Sequence, residues 1–467
     1  MGQEISSSTF SATDFAQFRE RVRNETQMLA EKLDANALSA TGFSFGCEIE
    51  AWLVDHAFYP TSINEAFLAR LNHPLVVPEL SRFNVEINSE PQPLRGEALL
   101  RAEIALERLW DHCNAVAHAM DANMVLIGTL PTLRDEDLCV ANMSGLKRYE
   151  ALNRAMLDRR AGKALRVDIA GSDHLVTSHQ DIMLEAATTS FQVHLRTPAS
   201  LAHRYYNASL VASGPLLALS GNSPFLFGRQ LWAETRIPLF EQAVPVEGAP
   251  RVSFGTGYLR DSVLPFFEEN VRDHEPILPL LFDAPAEEFR HLRLHNGTIW
   301  RWNRLLLDPA GGEPHLRIEH RILPAGPSII DMMANAAAYL GMVVSLVTDG
   351  TDETLGMPFE MVRDNFYAAA RHGLDARLSW RDGERGADAV LSDVVLPRAR
   401  RGLERLDIDQ EDIDRLIGVL EARLARRQTG SRWQELALAA RNGDRYAMMA
   451  AYCERQRSRA PVHEWDI

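Results

Sequence analysis

The stretch FSFGCEIEAWLV, residues Phe43 to Val54, places Phe43, Phe45, Cys47, Ile49 and Ala51 on one side of an extended chain and Glu48 and Glu50 on the other, because strand side chains repeat every two residues. Three further segments alternate in the same way. In FNVEIN, Phe83, Val85 and Ile87 oppose Asn84, Glu86 and Asn88; in SFQVHLR, Phe191, Val193 and Leu195 oppose Gln192, His194 and Arg196. In LRIEHRI, Leu316, Ile318, His320 and Ile322 form the apolar edge, and Arg317, Glu319 and Arg321 project from the other. Any one of these fits an amphipathic surface strand. Taken together they describe a sheet whose polar face gathers carboxylates, a histidine and arginines where a solvated face mixes Thr, Lys and Ser.

Carboxylates held close repel one another, so they either take up protons or share a cation. Glu48, Glu50, Glu86, His194 and Glu319, with Glu79 just upstream of the second strand, offer several oxygens and one imidazole. That donor set suits Mg2+, with Mn2+ as an alternative. Zinc fits less well, since the chain has neither a CxxC pair nor an HExxH motif.

The chain has 467 residues, 46% hydrophobic and 24% charged, with a formal net charge of -15. Its length suggests one large domain and a smaller appended one. The acidic balance argues against a nucleic-acid partner, and no uninterrupted run of 18 apolar residues suggests a membrane span. Cys47, Cys113, Cys139 and Cys453 are too few and too irregular for a disulfide framework, which points to a reducing, cytoplasmic setting. The opening MGQEIS fits the loose acylation pattern of Gly2 with a serine at position 6, a match that so short a motif makes by chance.

Ser11 to Ala35 reads as an amphipathic helix with Phe15, Phe18, Val22, Leu29 and Leu33 on one face. Strand-like and helix-like segments then alternate to about residue 350, including helical stretches from Glu97 to Asn123 and, after the breaker AGP, from Ser328 to Val347. Arg381 to Asp388 is polar, and Leu391 to Arg457 is largely helical with arginine-rich faces. The expected organisation is an N-terminal helical arm (1–40), a catalytic domain (41–350) and a helical C-terminal subdomain (351–467).

In order, the motifs GCEIE, ELSRFNVEINSEP, FQVHLR, ALSGNSPFLFGRQLWAETR and HLRIEHRILPAGP resemble the glutamate-cysteine ligase and carboxylate-amine ligase family, whose catalytic domain is similar to that of glutamine synthetase. The SP-x-x-x-G segment with its following Arg, framed by the others, carries most of the specificity. HNGTIWRWNR followed by LRIEHRILPAGP looks like a bacterial, ligase-like branch. The resemblance implies an α+β fold: a glutamine synthetase-like antiparallel sheet with a polar catalytic face, flanked by helices, plus the helical C-terminal subdomain. It also implies ATP and Mg2+, with Glu48, Glu50, Glu79, Glu86, His194 and Glu319 as metal ligands. Glu86, Glu319 and Arg321 would form the catalytic set, Arg321 steadying the transferring phosphoryl group. Arg236 would hold the carboxylate of the amino-acid substrate, and Arg196, Arg301 and Arg304 the nucleotide. Arg301 and Arg304, beside tryptophans, suit cation-π packing equally.

The implied reaction joins an amino-acid carboxylate, by family analogy that of glutamate, to cysteine or another amine through an acyl phosphate. ILPAGP after Arg321 departs from the family pattern, which carries an acidic residue there, and so alters the wall near the acceptor. Between RWNR and RIEHR, LLLDPAGGEP reads as a hairpin loop or a lid. The expected partners are small-molecule amino acids and amines, with neither nucleic acid nor membrane; a homo-oligomer is left open. Two other readings use the same residues: a metal-dependent amide or phosphate hydrolase, and a non-catalytic ATP-binding regulatory protein.

Overall fold

The alternating segments pair into one eight-stranded antiparallel sheet. In chain order its strands are β1 (Ser44–Val54), β2 (Val76–Pro78), β3 (Asn84–Asn88), β4 (Gln92–Pro93), β5 (Asn123–Val125), β6 (Ser190–Thr197), β7 (Asn303–Asp308) and β8 (His315–Pro324). The order across the sheet is β7-β8-β6-β1-β3-β2, and β4 and β5 pair with the two ends of β1. These assignments come from a computed structural model that describes residue 5 and residues 7–467, except 246–247, 310–313, 351 and 382. Gly2 and the serine at position 6 therefore lie outside the described residues, as does the tip of the 305–314 insertion, whose flanks form the β7-β8 hairpin.

The apolar face of the sheet carries Phe45, Cys47, Ile49, Val85, Ile87, Val193, Leu195 and Ile318, all buried. Helices α1 (Ala12–Asp34), α2 (Ala98–His118), α3 (Ala202–Ser220), α4 (Arg236–Ala243), α5 (Ile329–Thr348), α6 (Phe359–His372), α7 (Leu396–Arg405) and α8 (Gln410–Arg426) surround it. α3 packs on β8 and on α5, and α7 and α8 pack on α5. Helix α5 is long and apolar enough to cross a membrane, yet 94% of its most apolar window is buried inside the protein. It is a core helix here, begun by Ser328, whose side chain accepts from the Asp331 backbone N–H.

α1 starts where its sequence suggests: Ser11 and Asp14 form a reciprocal capping box. Phe18, Val22 and Leu29 are buried, and so is Glu25. Glu25 meets His291 Nδ1 at 2.5 Å and accepts from the Leu292 backbone N–H at 2.7 Å. The helix thus ties down the distant segment around residues 282–293. Within the polar N-terminal decapeptide, Ile5 is buried.

One expectation about the elements needs correction. The helix predicted for Glu97 to Asn123 ends at His118, and Asn123 opens β5. Asp121 adopts a positive φ of 55°, a conformation in which a helix cannot continue. The polar stretch near Arg381 to Asp388 folds in part as a hairpin, Arg377–Trp380 with Gly383–Gly386.

The C-terminal helices join the core through an unusually close crossing. A Cβ at Gly341 in α5 would collide with the Ala399 carbonyl of α7, and one at Gly402 would collide with the Gly341 carbonyl. Asp331 in α5 forms a buried ion pair with Arg423 of α8 at 2.7 Å and also accepts from the Val462 backbone N–H at 2.9 Å. Because backbone atoms cannot move aside as a flexible side chain can, Gly402→Ala is expected to cost about 3 kcal/mol, the upper end for overpacking. A lowered midpoint in urea unfolding at unchanged slope checks this; an unchanged midpoint would show that the two helices do not touch.

Candidate active site

Register places the acidic side chains opposite one another. Glu50 on β1 pairs with Glu86 on β3, and His194 on β6 pairs with Glu319 on β8. Glu48 lies two residues from Glu50, between Asn88 and Gln192 in the neighbouring strands. Glu79 enters from the end of β2, its carboxylate accepting from the Leu80 N–H at 3.1 Å. The outcome is two groups, Glu48 with His194 and Glu319, and Glu50 with Glu79 and Glu86. Within each, one ligand atom per residue lies within 4.8 Å of the others.

The groups differ electrically. Arg304 grips Glu319 with two 2.8 Å hydrogen bonds, and Arg321 donates to it at 3.1 Å and to Gln192 at 2.5 Å. Burial would raise the Glu319 carboxyl, but Arg304, Arg321 and His194 outweigh it and hold the group well below the usual carboxylate range. Burial acts on Glu48 too, and His194, 3.1 Å away, brings it down to about 2. In the other group burial wins. It combines with repulsion from Glu79 to push Glu50 up to about 7, against Arg321 and hydrogen bonds from Ser190. Burial, then Glu48 and Glu79, raises Glu86 well above its ordinary value.

The donor set fits a hard divalent cation in each group: oxygen-rich, buried and short of positive charge around Glu50 and Glu86. His194 Nε2 is sealed from solvent and has no aligned hydrogen bond, while Arg317 donates to Nδ1 at 3.2 Å. With Nδ1 accepting, the ring proton sits on Nε2, which faces Glu48 at 3.1 Å; to ligate a cation through Nε2 the ring must move that proton to Nδ1 and give up the Arg317 bond.

The polar face borders a cavity of about 780 Å3. Glu48, Glu50, Glu79, Glu86 and Glu319 line one region together with Arg304, Arg317 and Arg321. Phe267, Leu278, Phe282, Leu292, Leu294 and Leu306 supply an apolar region, and Arg290 stacks over the Phe282 ring at 5.8 Å. A second, small pocket of about 40 Å3 shares Glu50, Glu79, Glu185 and Arg321 with the cavity and adds Arg236, Phe240 and Trp302.

Arg236 is buried. Its Nε donates to Glu234 at 2.7 Å and its Nη2 to the Ile322 carbonyl at 2.6 Å. Arg196 and Arg301 are not brought to the cavity. Arg196 donates to the Ser39 and Thr41 hydroxyls. Arg301 pairs with Glu269 at 2.7 Å, donates to Asn270 and lies over Phe266, not a tryptophan. An odd spacing from Arg304 in extended chain sends the two side chains to opposite faces, and Trp300–Arg301 belongs to a separate parallel pair with Val252–Ser253. Arg317 is placed on the polar face by the sequence but given no role, and Glu185 is not singled out. The two-residue offset from Glu319 is the signal that finds Arg317; Glu185 lies in a 3-10 turn, Met183–Ala187, where periodicity has nothing to say. Burial and repulsion from Glu79 lift its carboxyl to about 8.

A mixed fold with an antiparallel sheet that buries two carboxylate groups beside arginines suits an enzyme that handles anionic substrates with bound cations. The sequence matches the profile of glutamate-cysteine ligase family 2 (GCS2) across residues 44–456, and the chain belongs to that family. Its fold is similar to that of a glutamate-cysteine ligase from Francisella tularensis solved in complex with AMP, with a TM-score of 0.59 at 12% identity over 91% of this chain and 90% of that one. It is also similar to a bifunctional glutathione synthetase from Pasteurella multocida, with a TM-score of 0.57 at 12% identity over 93% of this chain and 55% of that one. The α+β expectation therefore holds. Comparison with curated proteins gives no significant match.

With Glu50 near 7 and Glu86 raised well above its ordinary value by burial and the neighbouring carboxylates, a cation that binds here at neutral pH displaces protons. Calorimetric Mg2+ titration in buffers of different ionisation heat is expected to report net proton release on binding at pH 7. Apparent affinity should strengthen from about pH 6 to 8 as Glu50 empties; binding without proton release would contradict these assignments.

Proposed function

We propose that the protein is an ATP- and Mg2+-dependent carboxylate-amine ligase that forms a γ-glutamyl-type amide from glutamate and cysteine or another amine. The observation that carries this reading is the pair of buried carboxylate groups bordering a large, partly apolar cavity, one of which, through Glu50 and Glu79, also borders a small pocket with Arg236. The AMP carried by the Francisella tularensis ligase supports a nucleotide in the large cavity. Its apolar region suits a base, and Arg304, Arg317 and Arg321 suit phosphates.

In the reaction, a carboxylate oxygen of the acceptor attacks the γ-phosphorus, the bond to the β-phosphate oxygen breaks, and ADP leaves an acyl phosphate. The amine nitrogen then attacks the acyl carbon, loses a proton and expels inorganic phosphate. Bound Mg2+, or Mn2+, held by Glu48, His194 and Glu319 and by Glu50, Glu79 and Glu86, would neutralise charge between anionic reactants. Arg321, oriented by Glu319 and Gln192, steadies the phosphoryl group in flight. Arg236 offers its remaining Nη1 to the acceptor's carboxylate. No side-chain nucleophile is required, so the buried Cys47 has no part. The four free cysteines suit a cytoplasmic enzyme.

Glu86→Gln is expected to lower ATP-dependent turnover at least 100-fold with an unchanged unfolding midpoint, since it removes charge from a proposed ligand at nearly constant size. Full activity at saturating Mg2+ would end the metal assignment. Arg236→Ala should raise KM for the acceptor far more than KM for ATP. Hydroxylamine in place of the amine should yield a hydroxamate and one ADP per event; amide or phosphate-ester hydrolysis without ATP would instead favour a hydrolase.

A further inference from the structure

The apolar wall of the large cavity is held from outside the region that matches the family. That match begins at residue 44, whereas α1 spans Ala12–Asp34. The helix meets the wall at His291, a buried ring. Phe18 of α1 lies edge-on to it at 5.6 Å, and Phe282 lies edge-on at 5.3 Å. Phe282 and Leu292 both line the cavity.

Polar atoms make the same link. His291 Nε2 accepts from the Phe282 backbone N–H at 3.1 Å, so the ring proton sits on Nδ1 and is donated to Glu25 of α1 at 2.5 Å. The other Glu25 oxygen accepts from the Leu292 N–H at 2.7 Å. Both oxygens of a carboxylate shut away from water are therefore committed to the wall, and these are its compensation for burial.

The link matters because the wall has no ladder of its own. Residues 274–285 lie in neither helix nor strand, and such a segment takes its position from the contacts around it. The other tie from α1, Arg19 with Glu275, is exposed and adds little. At the opposite, charged region of the cavity the arginines are fixed from the sheet: Arg304 and Arg321 by Glu319, and Arg317 by Asp308.

On the reading of the large cavity as a nucleotide site, we propose that Glu25 and His291 are positioning residues for its base end. They fix the Phe282 and Leu292 wall against which the base packs, and leave the phosphate end to the sheet. Helix α1 is then a working part of the cavity.

Calorimetry with Mg2+ present compares a non-hydrolysable ATP analogue and AMP with tripolyphosphate, which has phosphates and no base; Mg2+ is also titrated alone. Glu25→Ala is expected to weaken the ATP analogue and AMP about 10-fold, the scale of one hydrogen bond to a charged group, with tripolyphosphate and Mg2+ affinities moving less than about twofold. Glu25→Gln is nearly isosteric and keeps one acceptor oxygen, so it should show the same pattern at about threefold; it decides the matter if the Ala variant does not fold. Equal loss for all ligands overturns the proposal, because it marks general damage to the fold. Nucleotide affinity unmoved in both variants overturns the proposal alone. A wild-type protein that binds neither the ATP analogue nor AMP overturns it together with the nucleotide reading.

Discussion

Like-charge crowding on one face of an antiparallel sheet is the constraint around which the rest of the molecule is arranged. Pairing sets Glu50 against Glu86 and Glu319 against His194, and each of these groups is largely buried. Such an arrangement repels itself unless positive charge, protons or cations are supplied. Both solutions occur. Around Glu319 two guanidiniums are built in, so the carboxylate stays ionised. Around Glu50 and Glu86 the protein supplies little positive charge beyond Arg321, and both carboxyls are pushed toward their protonated forms. A cation-poor half beside an arginine-rich half gives the site a direction.

Holding this face in place requires the opposite face to be firmly packed. Helices α3 and α5 lie beneath the catalytic strands, and α5 is in turn buttressed by α7 and α8. The Gly341 and Gly402 crossing brings backbones into contact, and the Asp331–Arg423 pair and the Val462 N–H anchor the C-terminal segment to the same helix. The C-terminal helices therefore act on the site through α5. At the other end of the molecule, Glu25 in α1 holds His291 and Leu292, next to side chains that line the cavity. Two peripheral regions thus meet the core around the site through buried polar contacts.

Much of the site was legible because a strand has a period of two. That rule alone sends Glu48, Glu50, Glu86, His194, Glu319 and, two residues before it, Arg317 to one face. It also separates Arg301 from Arg304, whose shared environment of tryptophans suggests a common role that the odd spacing denies. Asp121, in a left-handed turn, ends a helix whose apolar pattern runs on, since the pattern records burial and not backbone conformation.

Sequence by itself determined four of the eight strands of the sheet, their polar faces, the helix that starts at Ser11, the helix that begins after Ser328 and the family to which the chain belongs. All of these depend on neighbours within a few residues or on motif order. Tertiary structure alone decided which strand lies beside which, and so which carboxylates share a cation-sized space. It also decided that Glu185, from an irregular turn, reaches the pocket of Arg236, and that Arg196 and Arg301 point to other partners. Distances across a sheet are set by pairing between segments more than a hundred residues apart, as with His194 and Glu319, and no local pattern encodes them.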